Sequence, residues 1–275
     1  MRDQPTYQVL SYGGGVQSVT ICLLIAQGKL PKPNAIIFAD TGREVPMTME
    51  YAKAHVVPML ESIGLTLHIA PPTLRKVDLY GHNGDLLLPV FTKTGKMRAF
   101  CSGEWKREVV RRYVRDVLHV NGPYLTWIGF SVDEKRRATD DPKRRYPLLE
   151  LGLTRSDCIA LLQHAGMPVP HKSRCWMCPN QSADSWEEIR AMPELWQQAI
   201  ALEEDIKAWN EDVWLHFSRI KLRDLPPSTR ASTGASTNAP NPASTPLQDS
   251  TQEPAHDVAF DDSSLRACES GFCFL

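Results

Sequence analysis

Apolar and polar positions alternate in two rhythms over the first seventy residues. Residues 7–11 (Tyr-Gln-Val-Leu-Ser) read as a short strand, and residues 35–39 (Ala-Ile-Ile-Phe-Ala) as a strand apolar on both faces, bounded by Asn34 and Asp40. Between them, residues 16–27 carry apolar side chains at helical spacing and stop near Gly28. Residues 46–63 continue as a longer amphipathic helix, with Pro46 in the first turn, where its missing N–H costs nothing, and Gly64 past the end. Residues 65–70 read as a third strand. This order of strands and helices predicts an α/β fold, a Rossmann-like (HUP-type) parallel sheet with helices on both faces.

Farther along, residues 71–100 are irregular and hold Gly81, Gly84, Pro89 and Gly95. The pattern then predicts a helix over 103–119, a strand over 124–130, a charged loop over 131–146 and a helix over 154–164 ended by Gly166. Two more helices follow over 183–191 and 194–209, with Trp186, Trp196 and Trp209 as packing residues. Residues 226–255 break the pattern, because Pro, Ser, Thr and Ala make up 21 of the 30. Such a segment buries too little to offset its ordering entropy and reads as a disordered linker. Beyond it, Cys268 to Leu275 carries two cysteines and apolar residues, a tail that docks back. The expected organisation is therefore an α/β domain over 1–150, a mostly helical region over 151–225, a linker over 226–258 and a cysteine-containing tail over 259–275.

Charge adds an exclusion. With 31 Lys and Arg against 32 Asp and Glu, the chain has a net charge of −1, so no global basic field points to nucleic acid. No apolar run reaches the ~20 residues of a membrane span, and the first residues lack the apolar core of a signal peptide. The expectation is a cytoplasmic protein with no membrane partner, in which seven cysteines are free, catalytic or metal-bound rather than disulfide-paired.

The candidate chemistry begins at Ser11-Tyr-Gly13-Gly14-Gly15-Val-Gln17-Ser18, between the first strand and the first helix. A glycine-rich turn there is a phosphate cradle: backbone N–H groups face an anion at a helix N-terminus, and hydroxyls of Ser11 and Ser18 can add donors. It is neither a Walker A loop nor a Gly-x-Gly-x-x-Gly turn. The bland alternative is a tight left-handed turn with no ligand. Asp40-Thr41-Gly42 ends the second strand, where ligands of open α/β sheets bind. Asp40 would bind metal or orient a nucleotide group, or else cap the next helix.

These two stretches, Ser-x-Gly-Gly-Gly-x-x-Ser and Phe38-Ala-Asp-Thr-Gly-x-Glu-x-Pro-x-Thr-x-x-Tyr51, resemble the PP-loop ATPases, or adenine-nucleotide α-hydrolases. Within that group they look most like the phosphoadenylylsulfate (PAPS) reductase family and its phage-borne relatives. The resemblance continues at Cys101-Ser-Gly-Glu-Trp-Lys106, at Gly129-Phe-Ser-Val-Asp-Glu134-Lys-Arg-Arg137, at Tyr146-Pro147-Leu148 and at Cys175-Trp-Met-Cys178-Pro179 with Trp186. It implies a loop that grips the phosphates of ATP with Mg²⁺, or of PAPS. ATP-using members cleave between the α and β phosphates and leave an adenylylated substrate; the reductases reduce a sulfated nucleotide. The chain departs from the family at Gln17, where many ATP-using members have Asp, and at its end, which lacks the reductases' Glu-Cys-Gly-x-His.

Cys175-x2-Cys178 is half of a metal site, and Cys268 with Cys273 would be the other half. Four thiolates suit a [4Fe–4S] cluster, which the sulfur-handling relatives favour, or Zn²⁺. Cys101 is a further ligand or a reactive thiol, and Lys106, Arg107 and Arg174 would lower thiol pKa values nearby. Cys22 and Cys158 lie in apolar helical runs and read as core. Arg107, Arg111 and Arg115 share a helix face, and Lys135, Arg136, Arg137, Lys143, Arg144 and Arg145 form a second basic group. They are a solvated face, or they contact phosphates of the nucleotide and of a larger polyanion, tRNA or DNA.

The leading expectation is a PP-loop enzyme that binds an adenine nucleotide and activates a substrate by adenylylation, for sulfur transfer or nucleobase modification, with a sulfur or electron donor protein as a further partner. Ser11, Gly13, Gly14, Gly15, Gln17, Ser18, Asp40, Thr41, Gly42, Gly129, Glu134 and Arg137 would bind nucleotide. Cys101, Lys106 and Asp40 would be catalytic. The alternatives are a PAPS or adenylylsulfate reductase and a non-catalytic nucleotide-binding phage protein.

Overall fold

A computed structural model describes residues 7–227. Its strands, in chain order, are β1 (Tyr7–Tyr12), β2 (Ala35–Ala39), β3 (Leu67–Ala70), β4 (Phe91–Thr92), β5 (Gly95–Lys96), β6 (Tyr124–Trp127), β7 (Arg144–Arg145) and β8 (Val213–Trp214). Helix α1 is Val16–Ala26. Helix α2 begins as Pro46–Tyr51, widens into a π-helical Ala52–Val56 and closes as Val57–Glu61. The wide turn has a cause in sequence: Pro58 has no N–H to donate four residues back. Helix α3 joins Gly103–Arg107, Glu108–Arg112 and Tyr113–Val117, and α4 (Pro147–Glu150), α5 (Arg155–His164), α6 (Ala183–Arg190) and α7 (Pro193–Trp209) follow.

Five parallel strands form the main sheet in the order β3-β2-β1-β6-β7, which is the expected α/β fold. The two-residue period divides its side chains between two cores. Leu10, Tyr12, Ile36, Phe38, Leu125 and Trp127 pack with α1, α2 and α5. Val9, Ala35, Ile37, Ala39 and Ala70 meet Val109, Val110 and Val114 of α3 on the opposite face. The strand order reverses direction between β1 and β6, so the switch point lies where β1 ends in the glycine loop.

A second assembly joins distant parts of the chain. Leu86–Val90, Trp105, the Cys175–Cys178 loop, α6, α7 and Leu215 share one core beside the small antiparallel sheet β5-β4-β8. Two backbone carboxylate contacts secure its end: buried Glu203 accepts from Leu215 N at 3.0 Å and from Leu222 N at 2.6 Å.

Several expectations are refined. The loop over 131–146 contains β7, which pairs with β6 through Thr126↔Arg144 and Trp127↔Arg145. Trp186 is buried as expected, whereas Trp209 is exposed and rests beside Tyr80, ring centroids 6.1 Å apart. Among the described residues no helix is long and apolar enough to cross a membrane. All but the first two residues of the linker, and the tail with Cys268 and Cys273, lie outside the described residues.

Candidate functional site

The glycine loop has the conformation its sequence demands. Gly15 caps α1 without any side-chain acceptor, so the first N–H groups of the helix have no partner within it. Gly14 has φ +75°, and a Cβ there would sit 2.5 Å from Thr48 Cγ2. Only glycine lets the chain turn inward at this point. Ser173 Oγ donates to Gly13 O at 2.7 Å and clamps the loop from the far end of the chain, while Ser18 Oγ donates to Gly15 O at 3.0 Å. Gly129 lies against the start of α1, where a Cβ would be 3.4 Å from Ser18 N.

A cavity of about 480 Å³ opens at this loop, within the usual range for small-molecule sites. Ser11, Gly13, Gly15, Gln17, Ser18, Lys106, Gly129, Glu134 and Arg137, all expected nucleotide or catalytic residues, line it. Eight Lys or Arg residues and three Asp or Glu residues line the cavity, a local balance of +5 in a chain of net −1. Such a lining attracts anions.

Its floor is a polar chain. Arg155 Nη1 donates to Gln17 Oε1 at 3.1 Å, Gln17 Nε2 donates to Glu134 Oε2 at 3.2 Å, and Arg137 Nη1 meets Glu134 Oε1 at 2.5 Å. Burial raises the Glu134 carboxyl above its ordinary value, against the opposing pull of Arg137. Gln17 thus does what a carboxylate at that position could not: it accepts from Arg155 and donates to Glu134 at once. Arg155, Lys172 and Ser173 were not picked out in the sequence. They come from segments more than 130 residues from the loop, with no local signal beyond their charge or hydroxyl.

Asp40, Thr41 and Gly42 sit outside the lining of this cavity. Asp40 Oδ1 accepts from Gly42 N at 2.7 Å in a tight turn, and the cap of α2 falls to Val45 rather than Asp40. Thr41 is buried in a second cluster, its hydroxyl 3.3 Å from Glu44 Oε1 and 3.6 Å from Cys175 Sγ. Glu44 Oε1 forms a 2.9 Å ion pair with Lys106 Nζ, both side chains at least nine-tenths buried. Residues 43–45 pair with 174–176: Val45 N donates to Arg174 O and Trp176 N to Arg43 O. This bridge carries the Cys-x2-Cys loop to the carboxyl end of β2.

Cys101, Cys175 and Cys178 line a small cavity of about 40 Å³ together with Trp105 and Lys106. Lys106 lines both cavities and so joins the thiols to the larger one. Arg174 is buried, donates to Gln181 Oε1 at 3.0 Å and pairs with Glu188. The Glu188 carboxyl, bonded by His171 and beside Arg174, is held at about 2. Among the described residues no three His, Cys, Asp or Glu side chains converge to hold one metal ion. Cys22 and Cys158 are buried in the sheet core, where desolvation pushes the Cys158 thiol up to about 11 and Cys22 higher still.

On the expected basic face of α3, Arg111 pairs with Glu108 at 2.8 Å and Arg115 with Asp116 at 2.5 Å. No protein-family model matches the chain, and no curated protein matches it.

Proposed function

We propose that this chain is a PP-loop enzyme of the PAPS reductase type that binds ATP and activates an acceptor by adenylylation, for sulfur transfer or nucleobase modification. The observation that carries the reading is the uncapped helix start and glycine loop facing a cavity with a surplus of five positive charges. The N–H groups of residues 15–18 would hold one phosphate. Lys106, Arg137 and Lys172 would neutralise the charge that develops as the bond between the α and β phosphates breaks. An acceptor oxygen or sulfur attacks the α phosphorus, its proton leaves to solvent, and pyrophosphate departs. Mg²⁺ enters with the triphosphate, since this ion is commonly held through substrate phosphates.

The three thiols beside Lys106 favour a second reading, reduction of a sulfated adenine nucleotide. Their cavity of about 40 Å³ has room for only a few waters and no three ligands converge among the described residues, so a [4Fe–4S] or Zn²⁺ group would need Cys268 and Cys273 in addition to Cys175 and Cys178. The decisive assay incubates ATP labelled at the α phosphate with the protein, Mg²⁺ and candidate acceptors. Adenylylated acceptor or AMP with pyrophosphate supports adenylylation. Sulfite release from PAPS with no ATP cleavage would replace it by the reductase reading.

A further inference from the structure

The sheet face under α3 is only partly covered. α3 lies across β2, and Val109, Val110 and Val114 close the core over β1, β2 and β3. Over β6 and β7 the same face forms the wall of the large cavity. Tyr124, Thr126 and Ile128 point into it, as does Arg144, the partner of Thr126 across the strands. The alternate residues face the other way: Leu125 and Trp127 are buried in the opposite core, and Arg145 lies 4.4 Å over the Trp127 ring. The cavity is therefore a cleft that runs down the sheet, from the glycine loop to Gly122 and Pro123 before β6. Tyr124 to Ile128 alone spans about 13 Å at ~3.3 Å per residue.

Cations stand at both ends of this cleft. Lys106, Arg137 and Lys172 lie with the glycine-loop residues, whereas Arg111 and Lys143 accompany Tyr124 and Thr126. A nucleoside triphosphate carries its charge at one end only, and its neutral nucleoside needs no cations at the other. The far cations, with Tyr124 beside them, therefore fit a second ligand that brings its own phosphates. The Arg111 side chain is about half exposed and its pairing with Glu108 is a surface ion pair, weak enough to exchange for a phosphate.

We infer that the cleft is the acceptor channel for a single-stranded nucleic acid, whose phosphodiesters meet Arg107, Arg111 and Lys143 and one of whose bases lies against Tyr124. The inference rests on the glycine loop being the nucleotide site, and it names the acceptor class for that chemistry. Tyr124 supplies the stacking face and the exposed cations supply the backbone contacts, the two components of strand-tolerant binding.

The test is fluorescence anisotropy of labelled RNA and DNA strands of about 12 nucleotides, a length usual for such grooves, across a salt series. Wild type is compared with Arg111→Ala/Lys143→Ala, and ATP binding is measured in the same preparations. The expected result is strand binding by wild type, weakened about tenfold or more in the double variant, with the log–log salt slope reduced by about 1.4, two cations at 0.7 each. ATP still binds, with a smaller loss than the strand shows, because the glycine loop, Lys106, Arg137 and Lys172 are untouched. Preference between the RNA and DNA arms identifies the polymer. Wild type that binds ATP but neither strand overturns the channel alone; wild type that binds neither strand nor ATP overturns the nucleotide reading as well. Strand binding with an unchanged salt slope in the double variant also overturns it. So does adenosine 3′,5′-bisphosphate that binds through Arg111 and Lys143 and displaces the strand, because the second charge would then belong to a small nucleotide.

Discussion

Gly14→Ala is the sharpest perturbation of the glycine loop. The residue has φ +75°, and an added Cβ falls 2.5 Å from Thr48 Cγ2. Left-handed backbone costs a non-glycine residue about 1–2 kcal/mol. Overpacking a rigid contact adds about 1–3 kcal/mol, so the total expected loss is about 2–5 kcal/mol. A domain of ordinary stability survives that, with a margin of about 5–15 kcal/mol to draw on. Urea unfolding reads the loss, and Thr48→Ser separates its two parts. Serine removes the clashing methyl and keeps the hydroxyl, so the double variant recovers the steric part and keeps the backbone part. The predicted coupling is about 1–3 kcal/mol, beyond the ~0.5 kcal/mol within which independent sites add. A Gly14→Ala loss under about 1 kcal/mol, or additive behaviour with Thr48→Ser, would refute the account of this turn.

Four further outcomes are expected. Lys106→Met leaves Glu44 charged and buried and costs about 3–5 kcal/mol by urea unfolding; adding Glu44→Gln restores most of it, and no recovery would mean the ion pair is not what the loss measures. Glu203→Ala strips two buried backbone N–H groups of their acceptor, at about 1–3 kcal/mol each, and a change under ~1 kcal/mol would contradict the contacts at Leu215 and Leu222. The Glu188 carboxyl is held at about 2 against an ordinary 4.5, so its contribution is fully present above pH 4.5 and fades as pH falls toward 2; Glu188→Gln flattens that part of the stability–pH curve, and an unchanged acid limb would show the network with His171 and Arg174 to be inert. Brief iodoacetamide treatment of the native protein at pH 8, read by peptide mass, labels half-exposed Cys101 before Cys22 and Cys158, which are buried with raised pKa values; early labelling of Cys22 would contradict its place in the core.

What the sequence disclosed was local. The runs at 7–11, 16–27 and 35–39 carry the periods of strand, helix and buried strand, and the structure follows them within a residue or so. Cys22 and Cys158 were recognisable as core because apolar neighbours flank them. The strand β7 was hidden, since two arginines in a charged stretch carry no period; only pairing with Thr126 and Trp127 makes them a strand. The site itself was half legible. Glycines between a strand and a helix mark the loop, but Ser173, Lys172 and Arg155 reach it by tertiary packing. Asp40 illustrates the limit: the end of β2 was correctly located, yet a tight turn to Gly42 occupies that carboxylate away from the cavity lining. The meaning of Gln17 likewise depends on two partners, Glu134 and Arg155, which the chain supplies 117 and 138 positions later.

The central claim is that the glycine loop and its cations hold the phosphates of ATP. Calorimetric titration of ATP with Mg²⁺ into wild type and Arg137→Ala tests it most directly. Arg137 donates into the floor of the cavity from an ion pair with Glu134, and a hydrogen bond to a charged group contributes about 1.5–3 kcal/mol. The account predicts saturable one-to-one binding by wild type and an affinity roughly ten- to hundredfold weaker in the variant. No heat of binding in wild type at millimolar ATP, or equal affinity in both proteins, would contradict it.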